Sequence, residues 1–256
     1  MEWKIEHIDE TDSTNRWLRE HQKGTKVPDP FAPDPFAPLV AWADYQTAGK
    51  GCGTNAWESE RGKNLTFSVL LHPTEISANC QFRISEAVSV ALCETIERFG
   101  VPRTSIKWPN DIYVGDRKIC GILIENLLWG RIIDKSIVGI GLNVNQKAFL
   151  SNAPNPVSII QLTGKETDRE MLLQAFLKAL SETLDMEPEA LGEAYRRRLY
   201  RQDGFYAFMD SHGRFMAKVL NVLDDGRLVL LDAEGTARMY AFKEVQFCLK
   251  ETNSHN

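Results

Sequence analysis

The chain has 256 residues, of which 43% are hydrophobic and 25% charged, and its formal net charge is -5 at pH 7. This composition is typical of a folded globular protein, and the acidic balance excludes a broad electrostatic attraction to nucleic acid or to anionic lipid. The five cysteines are widely spaced and none lies in a C-x-x-C pair, so the sequence predicts neither a disulfide framework nor a zinc knuckle. This cysteine usage favours a reducing cytoplasm.

The N-terminal region is predicted to contain one strand and one short helix. The strand covers residues 3–8, and Asp12 or Ser13 caps a helix that ends before Gly24. Residues 28–38 read PDPFAPDPFAP, a tandem repeat whose prolines lack amide donors and resist both helix and sheet. We therefore expect the repeat to form an exposed, semi-rigid loop.

Neither a signal peptide nor a membrane span is predicted. The N-terminus is acidic, whereas a secretory signal begins with a basic segment followed by an apolar one. The most apolar region, residues 119–142, is interrupted by four charged residues.

From residue 39 the pattern changes to short apolar runs typical of strands, LVAWADYQ and NLTFSVLLH. Apolar residues then recur at intervals of three and four over residues 81–99, which predicts a helix that stops at Gly100. The next segment predicts a strand, a Trp-Pro-Asn-Asp turn, a hairpin at Gly115-Asp116 and a further strand in SIVGIGLNVN. Residues 155–200 are predicted to be helical, and the mixture of strands and helices indicates an α+β main domain.

Beyond Gly204 the sequence alternates apolar and polar residues and is broken by Asp-Gly and Glu-Gly turns. This pattern predicts a small β-barrel made of short strands. We therefore divide the chain into a main domain of residues 1–203 and a C-terminal domain of residues 204–256.

The stretch YQTAGKGCGTNAW, residues 45–57, has the composition of a ligand-binding loop. Three glycines within five residues allow backbone amides to approach a ligand closely. The standard phosphate-binding patterns G-x-x-x-x-G-K-[ST] and G-x-G-x-x-G are absent. The stretch alone is equally compatible with a surface loop that binds nothing.

A second stretch, KWPNDIY, places a cation, an aromatic ring, a proline and an amide–carboxylate pair at successive positions. Asn110 and Asp111 have the oxygen atoms that a magnesium–phosphate complex requires, although an Asx turn is the more common use of such a pair. Lys118 begins the apolar run ICGILIE. It lies either in solvent or in a cleft beside Gly121, where it would meet developing negative charge.

Two groups of neutral polar residues complete the set of candidates. Residues 13–15, Ser-Thr-Asn, serve either as a helix cap or in ligand recognition. Asn143 and Asn145 close the strand GIGLNVN, where a turn at the strand end is the simplest interpretation. The five histidines are scattered without H-x-x-x-H spacing, so no histidine metal site is predicted.

In their order, DSTN, QTAGKGCGTNAW, KWPNDIY with RKICGILIE, and GIGLNVN resemble the biotin–protein ligase family. The resemblance implies a mixed β-sheet with helices, of the class II synthetase or biotin–lipoate ligase type. It also implies that the C-terminal barrel is SH3-like.

The resemblance further implies two reactions in one site. The biotin carboxylate attacks the α-phosphate of ATP to give biotinyl-5′-AMP and pyrophosphate, with Mg²⁺ required. A lysine of the biotin-acceptor domain of a carboxylase then takes the biotinyl group. No nucleic acid and no membrane are implied as partners.

The family's site residues carry over to this sequence position by position. Lys118 is implied as the catalytic residue beside the reacting carboxyl group and the α-phosphate, and Asp111 as the magnesium ligand. The implied biotin-binding residues are Ser13, Thr14, Asn15, Gln46, Lys50, Gly51, Cys52, Lys118 and Gly121. The implied ATP-binding residues are Lys50, Trp57, Lys107, Asn110, Asp111 and Asn143.

This chain departs from the family pattern in its loop charges. The family loop commonly reads G-R-G-R-x-G-R-x-W, whereas Lys50, Cys52 and Asn55 stand here where arginines are usual. We expect weaker retention of biotinyl-5′-AMP than an arginine-bearing loop gives, because a charged hydrogen bond contributes about 1.5–3 kcal/mol. Alternatively, Arg61 or Lys63 supplies the missing charge.

Two further departures lie near the termini. Because twelve residues precede Ser13, we expect this chain to differ from the family members that repress transcription in having no helix-turn-helix domain before this segment. In the C-terminal domain, Lys243 stands where the family usually has a glycine before Glu-Val.

Three other functions are compatible with parts of this pattern. A lipoate–protein ligase shares the fold and the acyl-adenylate chemistry, but does not require KWPND followed by this lysine. A biotin-sensing module or co-repressor requires a DNA-reading element, and the sequence pattern predicts none. A catalytically silent relative is the third. The sequence leaves open which carboxylase is the acceptor and whether the enzyme forms a homodimer.

Overall fold

The structure is a computed structural model that describes residues 2–21, 37–51, 53, 56–150 and 155–248. Most of the proline repeat, Cys52 and Asn55 lie outside the described residues, as does the end of the C-terminal tail. The predicted fold class, a mixed β-sheet with helices, is confirmed within the described ranges.

Seven strands form the larger sheet. They are β1 (Lys4–Thr11), β2 (Leu39–Gln46), β3 (Leu65–Leu71), β4 (Ser105–Lys107), β5 (Asp111–Val114), β6 (Arg117–Trp129) and β7 (Ile132–Leu142). Their order across the sheet is β1-β2-β3-β7-β6-β5-β4, with β1 and β2 parallel and every other neighbouring pair antiparallel. The predicted hairpin at Gly115-Asp116 joins β5 to β6.

The described residues include five α-helices. They are α1 (Thr14–His21), α2 (Phe82–Arg98), α3 (Ile159–Thr163), α4 (Arg169–Leu184) and α5 (Pro188–Arg196). As predicted, α2 stops at Gly100, whose φ of 86° suits a residue without a Cβ. The Asp168 carboxylate accepts a hydrogen bond from the Met171 amide and so caps the first turn of α4.

The two faces of the larger sheet pack against different helices. On one face, large residues such as Val40, Phe67 and Val69 pack into the main core together with α2 and α4. On the other face, α1 covers a small cluster of Leu18, Ala41, Leu70 and Ile137. The alternation of side chains along each strand separates the two sets, and α1 is therefore held on the face opposite the main core.

The C-terminal strands form a separate antiparallel sheet. The five strands are β8 (Tyr206–Asp210), β9 (Gly213–Val222), β10 (Leu228–Asp232), β11 (Ala237–Tyr240) and β12 (Gln246–Phe247). Their order is β11-β10-β9-β8-β12, so within the described residues β11 and β12 are edge strands and the sheet is open. The predicted Asp-Gly and Glu-Gly turns are present, with positive φ at Gly226 and Gly235.

The C-terminal sheet contacts the rest of the chain through the turn between β9 and β10. Trp108 donates its indole N–H to the Gly226 carbonyl oxygen at 2.8 Å. A Cβ at Gly226 would lie 2.9 Å from the Phe82 ring, so this turn approaches α2 too closely for any other residue. Across the described ranges, no helix is both long and apolar enough to cross a lipid bilayer.

A prediction concerns Glu86 on α2, which faces Asp224 of the same turn. Burial, with the nearby Asp224 carboxylate, raises the pKa of Glu86 to about 7. Between about pH 4.5 and pH 7, Glu86 therefore stays protonated in the folded protein and is ionised in the unfolded chain. Because the folded state binds the extra proton, the free energy of unfolding falls as the pH rises through this range. We expect Glu86→Gln to remove this decline and to add roughly 1–3 kcal/mol of stability at pH 8.

Urea unfolding between pH 5 and pH 8 measures the effect. Glu94→Gln is the matched control, because Glu94 lies on the same helix and makes only a loose surface ion pair of 3.8 Å with Arg98. Parallel pH profiles for Glu86→Gln and the wild type would show this interpretation of Glu86 to be wrong.

Candidate functional site

A cavity of about 360 Å³ opens on the face of the larger sheet that carries α1. The four segments singled out in the sequence all contribute to its lining, together with the turn between β11 and β12. The predicted residues that line it are Ser13, Thr14, Asn15, Gln46, Lys50, Gly51, Trp57, Lys107, Asn110, Asp111, Lys118 and Gly121.

Strand register brings these segments together. One cross-strand row runs through six strands on the α1 face, and its central members have small side chains or none. In order the row consists of Ala43, Thr66, Gly141, Gly121, Asp111 and Lys107. The register therefore places Asp111 and Lys107 beside a floor of bare backbone at Gly121 and Gly141.

A β-bulge turns Lys118 toward this floor. In a regular strand, side chains alternate, so Lys118 would face away from the cavity if Gly121 faces into it. The pairing of β5 with β6 skips Ile119: Ile112 is opposite Cys120, and Tyr113 is opposite Lys118. Ile119 is consequently buried in the main core, and the Lys118 ammonium lies 2.6 Å from Asp111 Oδ1.

Asp111 is shared between two lysines. Its second oxygen, Oδ2, lies 4.0 Å from Lys107 Nζ, and the side chain of Asp111 is only 15% exposed. Burial lowers the pKa of Lys107, and the neighbouring cations Lys118 and Arg201 lower it further, while Asp111 opposes them. The three side chains form a compact cluster with a surplus of positive charge, which favours an anionic ligand.

Neutral polar groups line the other end of the cavity. Thr14 is fixed by Gln46, whose Oε1 accepts hydrogen bonds from the Thr14 amide at 2.8 Å and from its hydroxyl at 3.2 Å. Ser13 and Asn15 are buried on either side of Thr14. The Ser13 carbonyl oxygen accepts from Trp17 N, so Ser13 also takes the N-cap position directly before α1.

Ser68 and Glu125, which the sequence did not predict as site residues, hold Asn15 in place. Ser68, in the middle of β3, donates its hydroxyl to Asn15 Oδ1 at 2.6 Å and lies 2.6 Å from the Thr14 hydroxyl. The Asn15 amide in turn donates to the Glu125 carboxylate at 2.7 Å, and Arg19 pairs with the same carboxylate at 2.6 Å. A serine in an apolar strand is too common a feature to have predicted this role.

The glycines of β7 are required by close approach. A Cβ at Gly139 would collide with the Asn15 amide, because it would lie 3.0 Å from Asn15 Cγ and closer still to Oδ1. A Cβ at Gly141 would collide with the Trp57 ring, because it would lie 2.6 Å from Cζ2 and Nε1 and closer still to Cε2. The glycines of the GIGLNVN motif are therefore required by the close approach of Asn15 and Trp57 to β7.

The described ends of the glycine loop are fixed to each other. Lys50 forms an isolated antiparallel bridge with Ala56, and the Trp57 amide donates to the Gly49 carbonyl at 3.0 Å. A Cβ at Gly49 would lie 2.9 Å from the Trp57 carbonyl oxygen, so this pairing needs glycine. Lys50 is exposed at the mouth of the cavity.

Two predicted residues have backbone partners. The Asn110 amide donates to the Ile122 carbonyl at 2.7 Å, which ties the turn before β5 to β6. Asn143 is buried outside the cavity lining, and its amide donates to the Val157 carbonyl at 3.0 Å. Among the described side chains, no group of three or more His, Cys, Asp or Glu residues is arranged to hold a metal ion.

Comparison with known families agrees with this geometry. The model of the biotin/lipoate A/B protein ligase family matches residues 11–143, about half of the chain, from the end of β1 to the end of β7. The chain belongs to the biotin/lipoate A/B protein ligase family. The match includes all the predicted site residues.

Individual relatives of the family match more of the chain. The bifunctional ligase/repressor BirA of Bacillus spizizenii is 30% identical over 217 residues, covering 78% of this chain and 63% of the relative. BirA of Escherichia coli is 29% identical over 198 residues, covering 76% of this chain and 57% of the relative. The chain thus spans about 60% of the length of these relatives.

A solved structure matches over nearly its whole length. The biotin protein ligase from Aquifex aeolicus in complex with biotin and ATP superimposes with a TM-score of 0.74 at 26% identity. The match covers 95% of this chain and 97% of the Aquifex chain, so the fold extends through the C-terminal sheet.

A prediction follows from the contact between Gly139 and Asn15. Gly139→Ala displaces the Asn15 amide and leaves Ser68 and Glu125 without their partner. We expect the free energy of unfolding to fall by about 1–3 kcal/mol, the usual cost of unpaired buried polar groups. Urea unfolding measures the change.

Gly204→Ala is the matched control, since a Cβ there meets Tyr206 at an ordinary 3.5 Å. Its stability should equal or slightly exceed that of the wild type. If Gly139→Ala unfolds like Gly204→Ala, the close approach to Asn15 does not constrain the fold.

Proposed function

We propose that this protein is an ATP-dependent biotin–protein ligase. In the first reaction a biotin carboxylate oxygen attacks the α-phosphorus of ATP, the bond to the β-phosphate oxygen breaks, and biotinyl-5′-AMP and pyrophosphate form. In the second, the amine of an acceptor lysine attacks the biotinyl carbonyl, AMP leaves, and an amide forms. The acceptor is the carrier domain of a biotin-dependent carboxylase.

One observation carries the proposal: a single cavity has neutral hydrogen-bonding groups at one end and lysines at the other. Biotin has a neutral, polar ureido ring and an acidic tail, and ATP brings several negative charges. A cavity with this polarity suits the two substrates lying end to end, with the biotin carboxylate meeting the α-phosphate near Lys118.

We assign the ureido ring to the neutral end. Thr14 and Asn15 are held by Gln46, Ser68 and Glu125, so their orientation is set before a ligand arrives. Pre-oriented groups bind without further loss of side-chain entropy. Ser13, Lys50, Gly51, Cys52 and Gly121 complete the proposed biotin site.

We assign the reacting groups to the charged end. Lys118 is the proposed catalytic residue, because a fixed ammonium stabilises the negative charge that develops on the α-phosphate and on the carboxylate. Asp111 holds that ammonium at 2.6 Å, and the bulge in β6 aims it into the cavity. Lys50, Trp57, Lys107, Asn110 and Asp111 are assigned to ATP, with Asn143 supporting them from behind the cavity.

Magnesium is assigned to the substrate. Within the described residues Asp111 is the single carboxylate that lines the cavity, and two lysines already share it. Such a set is too poor in oxygen ligands for a resident ion, whereas Mg²⁺ commonly binds through one carboxylate and the phosphates of a nucleotide. Asp111 is therefore the proposed protein ligand for magnesium that arrives with ATP.

We also infer the domain organisation and the cellular setting. Residues 1–203 are assigned to catalysis and residues 204–256 to a smaller C-terminal domain of the SH3-like type. The described cysteines, Cys80, Cys93, Cys120 and Cys248, are all free thiols, which supports a cytoplasmic location.

The first experiment is biotin-dependent exchange of labelled pyrophosphate into ATP. We expect exchange with biotin and none with lipoate, followed by a mass increase of one biotinyl group on a purified carrier domain. Exchange with lipoate alone would favour a lipoate–protein ligase. No exchange with either acid would rule out adenylate formation.

A second prediction concerns Lys118. We expect Lys118→Ala to lower the rate of biotin-dependent exchange about 100- to 1000-fold, the usual loss when one positioned electrostatic stabiliser is removed. Lys178→Ala, at an exposed position of α4, is the control and should retain the wild-type rate. Circular dichroism and the thermal midpoint of unfolding are measured for both variants to check that they fold. Near-normal exchange in folded Lys118→Ala would exclude the assigned role.

A further inference from the structure

The C-terminal sheet contributes a cation to the cavity. Lys243 lies in the turn between β11 and β12 and lines the cavity together with Phe242. Its ammonium is 3.5 Å from the point that a Cβ on Gly53 would occupy. The turn therefore reaches across the mouth of the cavity to Gly53, which follows Cys52 in the sequence, one of the positions where the family pattern has an arginine.

The backbone at Lys243 is one that glycine adopts more easily. The Glu244 amide donates to the Ala241 carbonyl at 3.1 Å, which closes a turn with Phe242 and Lys243 at its centre. Lys243 has a φ of 73°, a value at which a residue with a Cβ is strained. The turn does not need a lysine, and a strained non-glycine residue beside a cavity points to a role in binding.

The other basic residues near the loop are already engaged. Arg61 pairs with Asp9 and Glu10 and stacks on the Tyr45 ring at 4.8 Å. Neither Arg61 nor Lys63 is among the described residues that line the cavity. The alternative raised from the sequence, that one of these two residues supplies the missing charge, therefore has no support from their positions.

Lys243, by contrast, has a free charge. In the described ranges no carboxylate lies within ion-pair distance of it, and its nearest aromatic partner is the Phe242 ring at 5.6 Å. Among the residues that the structure describes, the charged lining consists of four lysines (Lys50, Lys107, Lys118 and Lys243) and one carboxylate, Asp111. Lys107 and Lys118 flank that carboxylate, which leaves the two lysines at the mouth available to a ligand with several negative charges.

We propose that Lys243 binds phosphate oxygens of ATP, and the phosphate of the acyl-adenylate, in place of the arginines that the glycine loop lacks. The proposal rests on the proposed ligase function and extends the nucleotide site onto the C-terminal sheet. An ammonium on a flexible stem makes a charge-assisted hydrogen bond to phosphate without the bidentate geometry of arginine. Lys243 is thus a binding residue that slows dissociation of the nucleotide and does not affect the binding of biotin.

Two substitutions test the proposal. Lys243→Gln removes the charge and keeps the length of the side chain, and Lys243→Gly also relieves the strained backbone. For both we expect the KM for MgATP in biotin-dependent exchange to rise about tenfold and biotinyl-5′-AMP to dissociate about tenfold faster, as for loss of one charged hydrogen bond. The affinity for biotin alone, measured by calorimetry, should stay the same.

The thermal midpoint separates this role from a structural one. Lys243→Gly should melt at the wild-type temperature or above it, since glycine adopts this φ without strain. Lys243→Arg should keep the KM for MgATP within about threefold of wild type. Lys218→Gln, on β9 of the same sheet and outside the cavity lining, is the control and should leave all these quantities unchanged.

The outcomes distinguish this proposal from the one on which it rests. If the wild type catalyses biotin-dependent exchange and both Lys243 variants keep its KM for MgATP and its rate of adenylate release, the role of Lys243 is wrong while the ligase function stands. If the wild type shows no exchange, direct calorimetry with MgATP decides. Binding that is lost in Lys243→Gln supports the role, and equal or absent binding in both proteins overturns it.

Discussion

The site depends on a constraint that is set inside the larger sheet: four adjacent strands present little or no side chain on one face. Ala41 and Ala43 on β2, Ser68 on β3, Gly139 and Gly141 on β7 and Gly121 on β6 lie next to one another in two cross-strand rows. The opposite face of the same strands carries large apolar residues that pack into the main core. The sheet is therefore packed against the main core on one side, and on the other side the small residues leave room for Asn15, for the Trp57 ring and for the cavity that both residues line.

Because the strands have few side chains at this point, polar side chains can approach the sheet backbone closely. Hydrogen bonds among these side chains then fix their orientation. Asn15 approaches β7 at Gly139, and its amide is clamped between Ser68 and Glu125. Buried polar groups of this kind are costly unless every donor and acceptor is paired, so the chain of hydrogen bonds makes the neutral end of the cavity rigid. A rigid neutral end suits recognition of an uncharged polar ring.

The charged end is built differently, from cations that a single carboxylate only partly neutralises. Asp111 organises Lys107 and Lys118 and leaves net positive charge inside a cavity with limited access to water, where charges interact more strongly than in solvent. Lys243 adds charge from a separate sheet. The C-terminal sheet would then be part of the nucleotide site, which gives a physical reason for its close packing against α2 at Gly226.

The sequence by itself determined the elements and the segments that form the site. Periodicity and turn residues predicted the strands LVAWADYQ and NLTFSVLLH, the helix that stops at Gly100 and the hairpin at Gly115-Asp116, because these signals are local. Contiguous motifs likewise identified Lys118 and Asp111. Only the tertiary structure decided which side of β6 Lys118 faces, since a bulge that skips Ile119 reverses the alternation. It also showed that Glu125 binds Asn15, 110 residues away along the chain, and that Lys243, noted in the sequence only as a departure from the family pattern, reaches the cavity. Contacts between distant segments are set by register and packing, so the sequence pattern does not predict them.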